Sequence, residues 1–252
     1  LKAPSFCARP PSAGRPAGGM PMKLYAPADD YRTKKILIAG QYVGLEVEMP
    51  KGAAGGADAA KMPVLETENG CVFSSVAIAR YVARMSRLSN LYGQSLLEGG
   101  LVDSWMEFSS LELEAPVSVM VQPGMPDEAV ACAKEDATKA LAVLDKHLLQ
   151  NTYMVGHCIT LADISICCAL LEVDDAFRKG FANISRWFTL CTQQPEFVAV
   201  LGAKPAAAGR PARADAPKAE AEAKAEPKKA EPKAEPKAKA KAEARAEPKA
   251  KA

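Results

Sequence analysis

Seven cysteines are the residues of this chain whose type is best suited to redox or metal chemistry. They lie at positions 7, 71, 132, 158, 167, 168 and 191, and none of them forms the Cys-x-x-Cys spacing of redox and zinc motifs. Most sit in apolar segments, and the adjacent Cys167 and Cys168 point to different faces of a helix. Reduced cysteines pack in this way, as small hydrophobic residues. We therefore expect neither thiol–disulfide chemistry nor a zinc site.

The two histidines are the other candidates for metal binding or acid–base chemistry. His147 lies near the predicted end of a long helix, where a positive charge interacts favourably with the helix dipole. His157 lies in a loop just before a helix cap. Because neither has a cysteine or a carboxylate at ligand spacing, we expect both to be structural and no metal to be bound.

The elements that must position any site include a strand, a hairpin, a second strand and a helix that begin at Pro63. This proline cannot donate a ladder hydrogen bond, so it opens or edges a strand. Asn69-Gly70 predicts the hairpin turn because both residues tolerate positive φ. Ser74 and Ser75 are good N-caps for the amphipathic helix that follows. This order is typical of the second half of a thioredoxin-like domain.

The segment before this hairpin completes a compact α/β unit. The pattern over residues 22–25 predicts a first strand. Asp30 is the predicted N-cap of a helix over 31–42, and Gly44 is expected to end that helix. Alternating apolar and polar residues over 45–49 predict a second strand. A Gly- and Ala-rich segment, residues 51–60, follows without a bulky apolar anchor.

Every later element is predicted to be helical. A helix over 97–121 carries an apolar stripe, and Pro116 should kink or end it. Asp127 should cap a second long helix, and Thr160 with Asp163 forms a capping box. The remaining helices are predicted over 164–173, 184–191 and 197–201, with a break at Pro195. The stripe of the first helix consists of Leu101, Trp105, Phe108, Leu111 and Leu113.

Both ends of the chain differ in composition from this body. Residues 1–21 are Pro-, Gly- and Ala-rich, so they cannot offset the entropy of ordering. The basic tail, residues 203–252, contains 14 Lys and Arg against 8 acidic residues, a net +6. Because the whole chain is +2, residues 1–202 carry −4. Recurring prolines in the tail interrupt helix formation, so we expect both ends to be disordered.

The start of the chain is open to two interpretations. It begins at Leu1, and Met20 and Met22 lie just ahead of the first strand, which favours a fragment or a start assigned upstream of a native methionine. The alternative is an organelle transit peptide, which the scarcity of serine and the lack of an amphipathic helix disfavour. No apolar run approaches the length of a membrane span.

The order of elements, together with Met62-Pro63, Ser74-Ser75 and the capping box at 160–163, resembles the glutathione transferase superfamily. More narrowly, residues 103–114, 155–164 and 186–202 resemble the gamma subunits of the eukaryotic translation elongation factor 1B complex. The resemblance covers residues 22–202. It implies an α+β, two-domain glutathione transferase-like fold, with a thioredoxin-like N-terminal domain over 22–88 and an all-helical C-terminal domain over 89–202.

The resemblance also implies where a glutathione site would lie. In the superfamily a hydroxyl near the end of the first strand stabilises a thiolate. Tyr25 is the candidate here and Thr33 a weaker one, although the alternative that Tyr25 is an ordinary packed aromatic is favoured. Asp29 and Asp30, which lie between these two hydroxyls, would repel a thiolate.

The expected frame for the tripeptide consists of five residues, Met62, Pro63, Val64, Ser74 and Ser75. A cis Met62-Pro63 bond would expose the backbone of Val64, and Ser75 would bind the γ-glutamyl carboxylate. Ser74 stands where the superfamily usually has an acid, a loss worth about 1.5–3 kcal/mol of binding free energy. The segment over residues 51–60 replaces a helix that carries further glutathione contacts in the family. No cofactor is required, and glutathione is at most a substrate.

Three functions are consistent with these features. The first is a non-catalytic scaffold in the cytoplasm that docks onto the other subunits of the elongation factor 1 complex. It needs no membrane, and the sequence does not decide whether it forms a homodimer. The second is a glutathione or related thiol S-transferase. The third is the transferase-like appendage of an aminoacyl-tRNA synthetase, which the missing synthetase domain disfavours. The basic tail would contact the ribosome or RNA through counterion release, or serve as a solvated spacer.

Overall fold

A computed structural model describes residues 22–50 and 62–202 of the chain. The predicted disorder of residues 1–21 and 203–252, and the Gly/Ala segment over 51–60, lie outside these residues. Within the described part, no helix is long and apolar enough to cross a membrane.

A four-stranded sheet with the order β2-β1-β3-β4 forms the first layer of the fold. Its strands are β1 (Met22–Tyr25), β2 (Val47–Glu48), β3 (Val64–Thr67) and β4 (Gly70–Phe73). Strand β1 pairs with β2 in parallel and with β3 antiparallel, and β3 and β4 form the predicted hairpin. The second strand is shorter than the predicted 45–49.

The hairpin turn differs by one position from the prediction. Thr67 pairs with Gly70, so Glu68 and Asn69 are the two loop residues and Gly70 already belongs to β4. Of these three, only Gly70 has positive φ, at 137°. The glycine is therefore required at the strand entry rather than within the turn.

Two helices pack against the sheet. Helix α1 (Tyr31–Val43) is capped by Asp30, whose carboxylate accepts a hydrogen bond from the Arg32 amide at 2.8 Å. Gly44, with a φ of 74°, ends it as predicted. Helix α2 (Ser75–Met85) begins after Ser74, and its buried side chains Ile78 and Val82 face the core.

The helical part of the fold contains α3 (Leu96–Phe108), a π-helical segment (Ser109–Glu114) and α4 (Ala115–Val121), then α5 (Asp127–Gln150), α6 (Leu161–Leu170), α7 (Asp175–Lys179), α8 (Ala182–Thr192) and α9 (Pro195–Leu201). The predicted helix over 97–121 is therefore interrupted by a wider π turn. Pro116 lies directly after that turn. Because proline offers no amide and crowds the carbonyl four residues before it, the wider turn accommodates Pro116 without ending the helix.

The predicted stripe of α3 is wrong at two positions. Leu101 and Leu111 are exposed, whereas Val102, Met106 and Leu113 are buried. The buried positions 102, 106, 109 and 113 keep one helical period, displaced by one position from most of the predicted stripe. On α5, the predicted cap Asp127 is the first helical residue and Pro126 occupies the cap position.

The capping box before α6 is confirmed and extends beyond a local cap. The Thr160 amide and hydroxyl both donate to Asp163 Oδ2 at 2.9 Å. Asp163 Oδ1 accepts from the Met154 amide and from Trp187 Nε1, also at 2.9 Å. Burial raises the pKa of Asp163, and these hydrogen bonds oppose that rise. One fully buried carboxylate thus joins α6, α8 and the preceding loop.

Candidate functional site

The strand that would hold a thiol ligand begins at the Met62-Pro63 bond, which is cis. Val64 follows in β3 and is almost fully buried, in register with Tyr25 of β1 on one side and Phe73 of β4 on the other. Backbone groups of a central strand face its neighbouring strands. Met62, which precedes β3, is therefore better placed than Val64 to offer backbone groups to a ligand.

The serine pair lies at the start of α2. Ser74 takes the N-cap position of α2 with φ 74° and ψ 127°, which is a rare conformation for a residue with a side chain, and its hydroxyl makes no cap bond. Ser75 begins the helix and is 7% exposed. The first bond of this helix runs from the Ile78 amide to the Ser74 carbonyl, so the preceding amides face the helix entrance. Such an entrance suits an anion.

The Tyr25 hydroxyl is not free to stabilise a thiolate. The phenol donates to Glu66 Oε2 at 2.8 Å, across the β1–β3 pair. This hydrogen bond, followed by burial and the charge of Glu66, raises the pKa of Tyr25. A phenol has one proton to donate, so a thiolate would have to displace Glu66. The geometry favours the packed, structural interpretation of Tyr25.

The other candidate groups near α1 are no better suited to thiol activation. Thr33 has no exposed surface, and its hydroxyl has no hydrogen-bond partner among the described residues. The Asp30 carboxylate already occupies the positive end of the α1 dipole. A thiolate there would meet a second negative charge.

A buried polar network between α1 and the helical domain is the feature that sequence reasoning missed. Lys35 Nζ donates to Glu114 Oε1 at 2.6 Å, and the Ser109 hydroxyl donates to the same oxygen at 3.2 Å. The Tyr31 hydroxyl donates to Glu114 Oε2 at 3.3 Å. Burial, and then the charge of Glu114, raise the pKa of Tyr31 to about 12. The network joins α1 to the π segment of the helical domain.

Only the helix periodicity hinted at this network. Tyr31 and Lys35 are four residues apart and so share a face of α1. Their partner Glu114 is distant in sequence, directly before the π-to-α transition. Nothing local to either segment identifies it.

His147 and half of the described cysteines are packed inside the fold. His147 Nε2 bonds to the Met154 carbonyl at 2.9 Å, and its ring packs on Trp105 with centroids 4.6 Å apart. Of the cysteines in the described residues, three are buried: Cys167, Cys168 and Cys191. Burial raises the pKa of Cys168 to about 12. Across residues 22–50 and 62–202, no group of three or more His, Cys, Asp or Glu side chains could hold a metal ion.

Comparisons with known families agree with this architecture. The model of the glutathione S-transferase N-terminal domain matches residues 20–84, and that of the C-terminal domain matches residues 108–195. Poplar glutathione transferase F1 superposes with a TM-score of 0.62 at 18% identity, covering 72% of this chain and 97% of that one. The bacterial glutathione transferase BphK superposes with a TM-score of 0.63 at 22% identity, covering 71% of this chain and 97% of that one. The chain belongs to the glutathione S-transferase-like superfamily.

Within that superfamily the chain is a homologue of elongation factor 1-gamma. It is 39% identical to elongation factor 1-gamma of Artemia salina over 202 residues, which is 71% of this chain and 46% of that protein. Elongation factor 1-gamma-A of Xenopus laevis is 36% identical over 211 residues, 74% of this chain and 47% of that protein. Probable elongation factor 1-gamma 1 of Arabidopsis thaliana is 36% identical over 204 residues, which is 73% of this chain and 49% of that protein. The chain spans about half the length of these relatives.

Proposed function

We propose that the chain is a scaffold subunit of the nucleotide-exchange complex of translation elongation, acting in the cytoplasm. Its glutathione transferase-like body docks onto the other subunits of the elongation factor 1 complex. The observation that carries this proposal is the homology to elongation factor 1-gamma, which extends over both domains rather than over one. The basic tail, with its net +6, would contact ribosomal RNA or space the body from its partners.

The geometry around α1 supports a scaffold rather than an enzyme. The Tyr25 hydroxyl donates its hydrogen bond to Glu66, and the Asp30 carboxylate stands at the helix terminus where a thiolate would need stabilisation. Ser74 supplies no charge for the ammonium of the tripeptide. Each change weakens thiol activation or binding independently of the others.

A test of the scaffold is co-elution of the full chain with the exchange subunit of the elongation factor 1 complex. Ser75→Ala serves as the control for glutathione chemistry. We expect one stoichiometric complex with the wild type and with the variant, because no scaffold contact needs the Ser75 hydroxyl. Separate elution of the two proteins would contradict the proposal.

A glutathione S-transferase is the second candidate, and one observation favours it. The cis Met62-Pro63 bond and the serine pair at the start of α2 retain the frame of a glutathione site. Conjugation of glutathione to an electrophilic substrate, abolished by Ser75→Ala and reduced in Tyr25→Phe, would support this function. We expect no turnover above the uncatalysed rate.

Homodimerisation is a further part of the proposal. Leu97 and Leu101 share one exposed face of α3, and Leu96 beside them is 99% exposed. Exposed leucines grouped in this way mark a contact surface. Light scattering should give a dimer mass for the wild type and a monomer mass for Leu97→Glu/Leu101→Glu. A monomeric wild-type chain would contradict this part of the proposal.

A further inference from the structure

An open groove of about 650 Å³ lies between the π segment with α4 on one side and α5 on the other. Its walls are two helices joined by a short connection over residues 122–126. Apolar side chains, three of them alanines, line both walls: Leu111, Ala115 and Val119 on one wall and Ala129 and Ala133 on the other. Small residues leave a groove between two packed helices rather than a ridge, so a further element can approach closely.

The rim of this groove carries an excess of negative charge. Glu112 lies on one edge and makes no ion pair within the described residues, and Asp136 lies on the other. Lys139 pairs with Asp136 at 3.0 Å, so these three rim residues sum to −1. The adjoining first turn of α5 adds Asp127 and Glu128. A partner that brings positive charge to this rim would be attracted and oriented.

The chemistry of the walls selects among possible occupants. A small-molecule site usually has polar groups that converge on its interior, whereas here the charged groups lie on the rim. The walls are helices and offer no strand edge for an extended peptide. An isologous contact between two copies would bring together two rims of the same net negative charge, which like-charge repulsion disfavours.

We propose that this groove binds an amphipathic helix of a partner protein. The apolar stripe of that helix lies between α4 and α5, and its Lys or Arg residues flank Glu112 and Asp136. The inference rests on the proposed scaffold function and names the surface that performs it. It concerns neither the serine pair nor the leucines of α3.

Native cysteines allow the groove to be probed without substitution. Cys132 lines the groove and is exposed, and Cys71 is exposed on β4, outside it. Alkylation of the full chain with iodoacetamide, followed by mass spectrometry, reports the two thiols separately. Saturating exchange subunit should slow alkylation of Cys132 by about tenfold or more, since a docked helix excludes reagent, and leave Cys71 unchanged.

Matched substitutions test the same surface by affinity. Leu111 in the groove is 68% exposed and Leu149 on α5, outside it, is 67% exposed, so glutamate at either site should disturb folding to the same small extent. Leu111→Glu should weaken binding of the exchange subunit by about tenfold, as expected for loss of one apolar anchor, and Leu149→Glu should not. Glu112→Lys should also weaken binding and reduce its dependence on salt.

The outcomes separate the groove from the scaffold function. A stable complex in which Cys132 remains as reactive as in the free chain would overturn the groove and leave the scaffold function in place. Failure of the exchange subunit to bind at all would overturn both. A change of oligomeric mass in Leu111→Glu, with partner affinity unchanged, would assign the groove to self-association and also overturn the inference.

Discussion

Lys35 has no exposed surface, and its carboxylate partner, Glu114, lies on the other domain. The desolvation of two charges offsets much of their attraction, so such a pair adds little net stability. Removing one partner is different, because the remaining charge stays buried without compensation. The pair therefore acts mainly to fix how α1 meets the π segment.

Substitution of one partner should cost far more than substitution of both. Lys35→Met leaves the buried Glu114 carboxylate without its cationic partner, and we expect a loss of about 3–5 kcal/mol in the free energy of unfolding. The double variant Lys35→Met/Glu114→Leu should recover most of that loss. Urea unfolding followed by tryptophan fluorescence measures both, because Trp105 and Trp187, the only tryptophans, lie in the helical domain. Equal destabilisation of the single and double variants would contradict this account.

Tyr31 should make stability depend on alkaline pH. Burial and the charge of Glu114 raise the pKa of Tyr31 to about 12 in the folded chain, from an ordinary value of 10.0 that applies to the unfolded chain. Between these values the unfolded chain loses the phenolic proton before the folded chain does, so stability falls as pH rises above 10. Tyr31→Phe should flatten part of this decline, measured as the urea midpoint at pH 8 and pH 10.5. A decline as steep in the variant as in the wild type would be inconsistent with the raised pKa.

Helix α8 is an element whose start is fixed from another helix. Its cap residue Phe181 offers no side-chain acceptor. Instead Asp145 of α5 accepts from the Asn183 amide at 2.9 Å and the Ile184 amide at 3.1 Å, both through Oδ1, and from Asn183 Nδ2 through Oδ2. One carboxylate thus supplies the N-terminal cap and joins α5 to α8.

Loss of this cap should destabilise α8 in particular. Asp145→Ala removes both amide acceptors, and we expect a cost of about 1–2 kcal/mol, as for other lost caps. Asp145→Asn keeps one carbonyl oxygen and should retain most of the stability. Hydrogen exchange of the Asn183 and Ile184 amides, which should quicken in the alanine variant, provides the local readout. Unchanged protection of these amides would rule out the cap.

The elements that sequence predicts correctly are those with local chemistry. Asp30, Gly44 and the Thr160–Asp163 box each act within four residues of their own position, so their pattern suffices. The Asp145 cap was missed because it depends on a tertiary partner. The π segment was missed because Pro116 predicts a kink or an end of the helix, not the wider turn that accommodates it. The same applies to the candidate site. The serine pair was found from its position ahead of a helix, but the engagement of Tyr25 by Glu66 depends on strand register.

At the scale of the whole molecule, the superfamily fold and the altered chemistry are compatible. The sheet, the cis Met62-Pro63 bond and the helical domain maintain the architecture of a glutathione transferase. Of the residues near a thiol, Tyr25 donates to Glu66, Thr33 is buried, and Asp30 carries a charge that would repel a thiolate. A body with net charge −4 over residues 1–202 and a basic tail of +6 suits assembly with partners of both signs.

The most direct test is titration calorimetry of the exchange subunit into the full chain, with and without about 10 mM glutathione. That concentration is roughly 10 times a weak Kd of about 1 mM. If the chain is a scaffold with a vestigial site, affinity and stoichiometry should be the same under both conditions and in Ser75→Ala. Absence of binding, or binding that appears only with glutathione and is lost in Ser75→Ala, would contradict the account.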